Sequence, residues 1–369
     1  MDSPISEWVV AESSVWLSRV RSTAEPAIST VSDVLCTRLV HDETPQRELL
    51  KRSVLRKERS RLLPERDVRA PVPSRRGELF YRWQRRMNCM PRFDARIPEE
   101  PLSVLVFGAH FDDCEVRFGG TATKYRELGH EVTLVCMTNG EAGHYKQGGA
   151  TLAQRRRAEA DAAASHIGAE YVAFDNPEGE LRPSIDNRNE IIELIREIEP
   201  DLVFTHRPND YHPDHRYTSQ LVQDAAYMVT VPNICPQTPH LDYNPVMCYL
   251  PDSFEKPYPL DPDVVIDIDG EMETKLDMLH EYTSQMYEWL PYNIGMLDEV
   301  PETETERREW LPKRYEPRNR GYADRFREEL KDEYGEEHGS QVTYAEAFEH
   351  CEYGGDLTEE NREILFPFF

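Results

Sequence analysis

From Leu102 onward the chain alternates short β-branched runs with longer amphipathic ones. "SVLVFG" (103 to 108) has the composition of a buried strand, "GGTATKYRELG" (119 to 129) of a helix closed by a glycine, and "EVTLVCMT" (131 to 138) of a second strand. The rhythm continues with a helix over 152 to 168, the strand "EYVAF", a turn at "DNPEGEL" and a helix at "NRNEIIELIREIEP". It then gives a strand over 201 to 206 and a long helix over 214 to 229. Such alternation predicts an α/β fold with a mostly parallel sheet covered by helices on both faces. After Val231 the pattern weakens into proline-rich segments, with strands expected at "VMCYL" and "DVVIDID" and a helix over 271 to 289. The remainder, through "RNRGYADRFREEL" and "YAEAFEHCEY", reads as charged helix packed over the sheet edge.

The first 96 residues follow no such rhythm. "ISEWVVAESSVWLSRV" carries apolar positions at helical spacing, and an arginine-rich, proline-interrupted stretch follows it. Between Gln46 and Arg96 there are 16 basic and 6 acidic residues, a local balance of +10 in a chain whose formal charge is -26. The expected organisation is a basic, partly disordered or helical extension (1–96), a central domain (97–300) and a charged helical part (301–369). The overall acidity argues against a nucleic-acid or anionic-membrane surface as a partner. Seven scattered cysteines without a CxxC pair argue against a disulfide framework or a cysteine zinc site, and for a cytoplasmic location. No apolar run approaches the ~20 residues that span a bilayer. A homo-oligomer is compatible with all of this.

Two expected strands run directly into histidine and aspartate: "GAHFDDCE" follows "VLVF", and "THRPNDYHPDH" follows "DLVF". In an open parallel sheet the carboxyl ends of strands border the ligand crevice, so these loops can meet although they lie a hundred residues apart. His110 and Asp113 have an i, i+3 spacing that lets both reach one ion; the second loop offers His212 and His215, with Asp214 beside them. Three ligands of imidazole and carboxylate with a fourth position left to water is the composition of a catalytic zinc site. Asp112 is then a further carboxylate near that water. Spacing does not choose between His212 and His215 as the ligand.

The motifs resemble those of the PIG-L or LmbE-like zinc de-N-acetylases, which include N-acetylglucosaminyl-phosphatidylinositol deacetylase and the deacetylases of mycothiol and bacillithiol synthesis. "AHFDDCEVRFGGT" is similar to the family's AHPDDxE followed by GGT, and HPDH stands unchanged at 212 to 215. "TNGEAGH" (138 to 144), "RRRAEADAAASHIG" (155 to 168) and the late Ser284–Gln285 pair follow in order. The resemblance implies a Rossmann-like fold and Zn2+, or another divalent transition metal, held by His110, Asp113 and His215. It further implies Asp112 as general base, His212 as oxyanion stabiliser or proton donor, and Asp214 orienting His212. Phe111 departs from the family's usual proline, and Tyr282–Thr283 stand where a histidine commonly precedes the late Ser-Gln.

Each residue also has a plainer reading. Asp112 and Asp113 could cap the following helix, Gly119 and Gly120 could serve a tight turn, and "TNGEAGHYKQGG" could be a flexible loop. His144, Asp175, Arg207 and Asp210 are candidate substrate contacts, and Cys114 is not a ligand candidate. The expected activity is hydrolysis of the N-acetyl group of an amino sugar such as N-acetylglucosamine, or of a glycoconjugate. The alternatives are an amidase for a larger conjugate, a non-catalytic carbohydrate-binding protein, and a dinucleotide oxidoreductase, whose glycine fingerprint is missing after the first strand.

Overall fold

The computed structural model describes residues 101–369, so the amphipathic helix and basic segment expected within residues 1–96 lie outside the described residues. Among the described residues, one sheet has the order β3-β2-β1-β4-β5-β7-β6. Its strands are β1 (Ser103–Gly108), β2 (Glu131–Cys136), β3 (Glu170–Ala173), β4 (Leu202–Thr205), β5 (Val246–Tyr249), β6 (Val264–Asp267) and β7 (Ala345–His350). The helices that matter for the site are α1 (Asp113–Glu127), α2 (Gly149–Ser165), α3 (Ile185–Ile198), α4 (Pro213–Ala226) and α5 (Met272–Glu281).

The first five strands pair in parallel. Along β1, Val104 and Val106 face one core with residues of α1, α2 and α5, while Leu105 and Phe107 face another with residues of α3 and α4. A strand buried on both faces needs the continuous apolar run seen in the sequence. From β1 the chain steps outward through β2 to β3, then crosses back to add β4 beside β1. The gap between the carboxyl ends of β1 and β4 is therefore the topological switch point of a Rossmann-like sheet, where ligands bind.

Three expectations change. Helix α1 begins at Asp113 and contains Gly119 and Gly120, so the glycines do not make a turn. A Cβ on Gly120 would lie 2.8 Å from Ile268 side-chain atoms, and this close approach of α1 to the segment after β6 requires glycine. The segment "AEAFEH", expected to be helical, is strand β7, antiparallel to both β5 and β6. Its alternation serves both faces: Ala345 and Ala347 pack into one cluster, and Phe348 into the other. Glu346, fully buried, receives Lys275 Nζ–H at 2.6 Å, Thr121 Oγ1–H at 2.6 Å, and the N–H groups of Thr121 (2.9 Å) and Gly120 (3.1 Å). The expected helix over 271 to 289 divides into α5 and a π-helical turn at Gln285–Trp289. No described helix is long and apolar enough to cross a membrane.

Candidate metal centre and active site

The β1–α1 loop turns sharply at Asp112, whose φ of 105° is unusual for a residue with a side chain. Such a backbone costs on the order of 1–3 kcal/mol and persists where its surroundings impose it. Asp112 makes no side-chain cap hydrogen bond to α1. Asp113 does not cap it either: its Oδ2 accepts the N–H groups of Ala109 (3.0 Å) and His110 (2.8 Å), both upstream of the helix. The helix-capping reading of the acid pair is thereby set aside.

The β4–α4 loop brings the second set. His212 is the N-cap of α4, its Nδ1 accepting the Asp214 N–H at 3.2 Å, and Pro213 opens the helix. His215, one turn into α4, has Nδ1 3.0 Å from Asp210 Oδ1 and Nε2 3.1 Å from His110 Nδ1. Asp113 Oδ2 lies 3.4 Å from His215 Nε2 and 3.5 Å from His110 Nδ1. Separations of 3.1, 3.4 and 3.5 Å match the edges of a tetrahedron around an ion bonded at roughly 2.0–2.2 Å.

Hydrogen-bond partners bear on which of the histidines could hold an ion. Two groupings, His110–His212–His215 and Asp113–His206–His215, bring ligand atoms within 4.8 Å of one another. In the first, His212 Nδ1 already accepts the Asp214 N–H, which assigns its proton to Nε2. In the second, His206 Nε2 accepts the Ala109 N–H at 3.0 Å. His110 Nε2–H donates to Asp214 Oδ2 at 3.1 Å, and Asp210 Oδ1 lies 3.0 Å from His215 Nδ1, which leaves His110 Nδ1, His215 Nε2 and the Asp113 carboxylate facing one another, an arrangement that could hold a cation. Burial lowers the proton affinity of His110, but hydrogen bonds to Asp113 and Asp214 overcome it and raise its pKa to about 10, so without an ion the imidazole carries a proton that a bound cation would displace.

Beside this cluster lies a second layer of charge. Arg156, wholly buried, donates Nη2–H to the Phe111 carbonyl at 2.9 Å and Nη1–H to Glu178 Oε1 at 2.9 Å, and its Nη2 lies 3.8 Å from Asp112 Oδ1. Burial pushes the Asp112 carboxyl up to about 8, with Arg156 opposing the rise. Glu115, buried behind Asp112, is pushed up to about 7 by burial and accepts Tyr282 Oη–H at 2.6 Å. Tyr282, near the position where a histidine was missed, thus serves the interior of α1. Phe111, unexplained by the motif, is buried with its ring stacked on Tyr171 at 5.8 Å and Arg156 over its face. Packing holds this loop where proline would hold it by restricting φ.

The structure brings together His110, Asp112, Asp113, His212, Asp214 and His215 and reassigns some of their neighbours. Asp214 Oδ2 serves His110 and the Gly179 N–H (2.7 Å), while His212 Nδ1 is 3.9 Å away, so Asp214 does not orient His212 through its carboxylate. Asp210 is spent on His215 and on the His212 N–H (2.9 Å), and is not a substrate contact. Arg207 is fully buried, bonded to Asp252 at 2.7 Å and Glu349 at 3.1 Å, and supports the site's rim from behind. His144 Nε2 pairs with Glu288 at 2.8 Å and Nδ1 accepts the N–H groups of Lys146 and Gln147, which pins the 139 to 148 loop. Asp175 accepts Asn139 Nδ2–H at 3.2 Å. Cys114 Sγ–H points to the carbonyls of Val106 and Val135, away from the cluster. Sequence reasoning missed His206, Arg156 and Arg117, whose guanidinium lies 3.8 Å from Asp113 Oδ1 and 3.7 Å from Asp210 Oδ2. His206, stacked parallel on His215 at 4.2 Å, had one available signal, its position as the first residue past β4.

The fold and the clustered histidines and aspartates define an α/β enzyme. The family model described as "PIG-L: GlcNAc-PI de-N-acetylase" matches residues 105–226. The chain is 30% identical over 223 residues to the diacetylchitobiose deacetylase of Thermococcus kodakarensis, covering 55% of this chain and 80% of that protein. It is 27% identical over 213 residues to the 4-oxalmesaconate hydratase of Pseudomonas putida, covering 56% and 81% respectively. The solved N,N'-diacetylchitobiose deacetylase of Pyrococcus horikoshii superposes with a TM-score of 0.54 at 25% identity, covering 77% of this chain and 95% of that one. The chain belongs to the PIG-L family.

Proposed function

We propose that this enzyme is a zinc-dependent hydrolase that removes the N-acetyl group of an amino sugar or glycoconjugate and releases acetate and a free amine. The observation that carries the reading is the convergence of His110 Nδ1, Asp113 Oδ2 and His215 Nε2, three ligand-type atoms 3.1–3.5 Å apart. These three would hold the metal. When bound, a zinc ion supplies Lewis acidity and lowers the pKa of water to roughly 7. The chain's own residues supply the proton handling. Asp112, held off the helix by its left-handed backbone, takes the proton of the attacking water as general base. His212, its Nδ1 fixed as an acceptor, presents Nε2–H to the oxygen that gains charge and then to the departing amine. Arg156 holds the Phe111 carbonyl, and so the loop that carries Asp112.

Similarity to the two diacetylchitobiose deacetylases favours this substrate class. Similarity to a hydratase favours a second reading, in which the same base directs water onto a carbon–carbon double bond. The test is acetate release by zinc-loaded enzyme across a panel of N-acetylated sugars, glycolipid headgroups and larger amide conjugates, with Asp112→Asn alongside. Acetate release lost in the variant while bound metal is retained supports the reading. No acetate from any member, or an undiminished Asp112→Asn, overturns it.

A further inference from the structure

Arg117 lies one turn into α1, at i+4 from Asp113, with 10% of its side chain exposed. Its Nη1–H donates to the Pro251 carbonyl at 2.7 Å, just past the end of β5. The guanidinium therefore sits where the chain leaves β1, β4 and β5, and there it faces two carboxylates. Its Nε is 3.8 Å from Asp113 Oδ1, and its Nη2 is 3.7 Å from Asp210 Oδ2. Each of these acids turns its other oxygen to a histidine of the cluster. Asp113 Oδ2 lies 3.4 Å from His215 Nε2, and Asp210 Oδ1 lies 3.0 Å from His215 Nδ1. Both carboxylates thus stand between an imidazole and the same guanidinium.

Charge, and not a directed bond, is what Arg117 brings to them. Separations of 3.7 and 3.8 Å exceed hydrogen-bond length, and the buried Nε–H has no acceptor among the described residues. Arginine keeps its positive charge at any working pH. We infer that Arg117 is a resident counter-charge of the metal centre, one that balances Asp113 and Asp210 while the site holds no ion and loosens the ion's hold once it binds. This rests on the metal reading of the same site and adds how tightly that ion is held. A cation beside a carboxylate lowers that group's affinity for a proton by roughly 10–1000-fold, and a divalent ion on the same oxygens meets the same opposition. Coupling of this kind is reciprocal: zinc and the arginine charge each oppose the other. A residue that served only to position Asp113 predicts the opposite sign, because loss of such a partner weakens metal binding by about 10–100-fold.

The experiment measures zinc affinity of metal-free wild type, Arg117→Gln and Arg117→Lys by chelator competition, and records Tm without and with zinc. Arg117→Gln should bind zinc about ten-fold more tightly than wild type. Without metal it should melt below wild type, and zinc should raise its Tm by more. Arg117→Lys keeps the charge and should bind zinc as wild type does. Equal or weaker zinc binding by Arg117→Gln overturns the counter-charge and leaves the metal reading standing. Folding of Arg117→Gln only in the presence of zinc supports the same coupling in a stronger form. If that variant folds in neither condition, Arg117→Lys decides: wild-type affinity there supports the inference, and a shift of about ten-fold in either direction overturns it. No zinc bound by wild type overturns the metal reading itself, and the counter-charge falls with it.

Discussion

Substitution of Asp214 separates two roles that the HPDH motif leaves entangled. If its carboxylate serves His212, removing it should lower kcat and leave metal affinity alone. The structure assigns it to His110, whose Nε2–H it accepts at 3.1 Å while also holding the Gly179 N–H at 2.7 Å. Carboxylates that orient a metal-binding histidine are worth about 10–100-fold in metal affinity, or roughly 1.4–2.7 kcal/mol. Asp214→Asn should sit at the lower end. An amide oxygen placed at Oδ2 keeps both hydrogen bonds, so the loss is mainly of charge, and its NH2 would occupy the Oδ1 position, which has no hydrogen-bond partner. Asp214→Ala should sit at the upper end, because it orphans two buried donors and frees the His110 proton to move to Nδ1, where it blocks the lone pair. The assay is zinc affinity of metal-free protein by chelator competition, with kcat measured at saturating zinc. Wild-type zinc affinity in Asp214→Ala, with kcat reduced, would refute the assignment to His110.

Three other predictions concern the layer around Asp112. Burial raises the Glu178 carboxyl, but the Arg156 guanidinium and the Gly143 N–H outweigh it and hold its pKa near about 2, against 4.5 ordinarily. A depressed folded value means the stabilisation, about 3 kcal/mol, is fully present above pH 4.5 and is lost as pH falls toward 2. The urea-unfolding gap between wild type and Glu178→Gln should therefore narrow steadily below pH 4.5, and a gap independent of pH there contradicts the assignment. Gly140 has φ of 72°, and a Cβ there would lie 2.7 Å from Phe111 Cδ2 and 3.1 Å from Arg156 Cδ. Gly140→Ala should cost about 1–3 kcal/mol and lower Tm; an unchanged Tm would show that the loop yields freely. Phe111→Ala should cost about 3–5 kcal/mol in chemical denaturation. A loss below about 1 kcal/mol would mean that packing does not replace the proline's restraint.

Sequence made the clustered histidines and aspartates legible because they are written in contiguous letters at two strand ends. HPDH and AHFDD name every residue that touches the proposed ion. What letters do not carry is direction. Asp210 and Asp214 stand two residues either side of His212, yet each carboxylate faces another histidine of the cluster, Asp210 facing His215 and Asp214 facing His110 in the loop after β1. His206 was overlooked because a histidine closing an apolar strand looks like any buried polar residue, and its meaning comes from Ala109 and His215 beside it. Strand β7 was misread for a related reason. Alanine, glutamate and phenylalanine alternate there, and glutamate in a strand centre suggests a solvated helix face. Only Lys275 and α1, distant in sequence, neutralise Glu346 and let that strand form.

The place of β7 also orders events during synthesis. Strands β1 to β5, with both histidine loops, are complete once Tyr249 has been made, but β5 and β6 share no ladder until Ala345–His350 slides between them. Until then β5 has no partner on that edge and Lys275 lacks the carboxylate that it meets in the finished fold. The segments that carry both histidine loops therefore precede, by about a hundred residues, the strand that joins β5 to β6. A chaperone or a ligand that acts in that interval would protect the edge of β5 rather than the pocket.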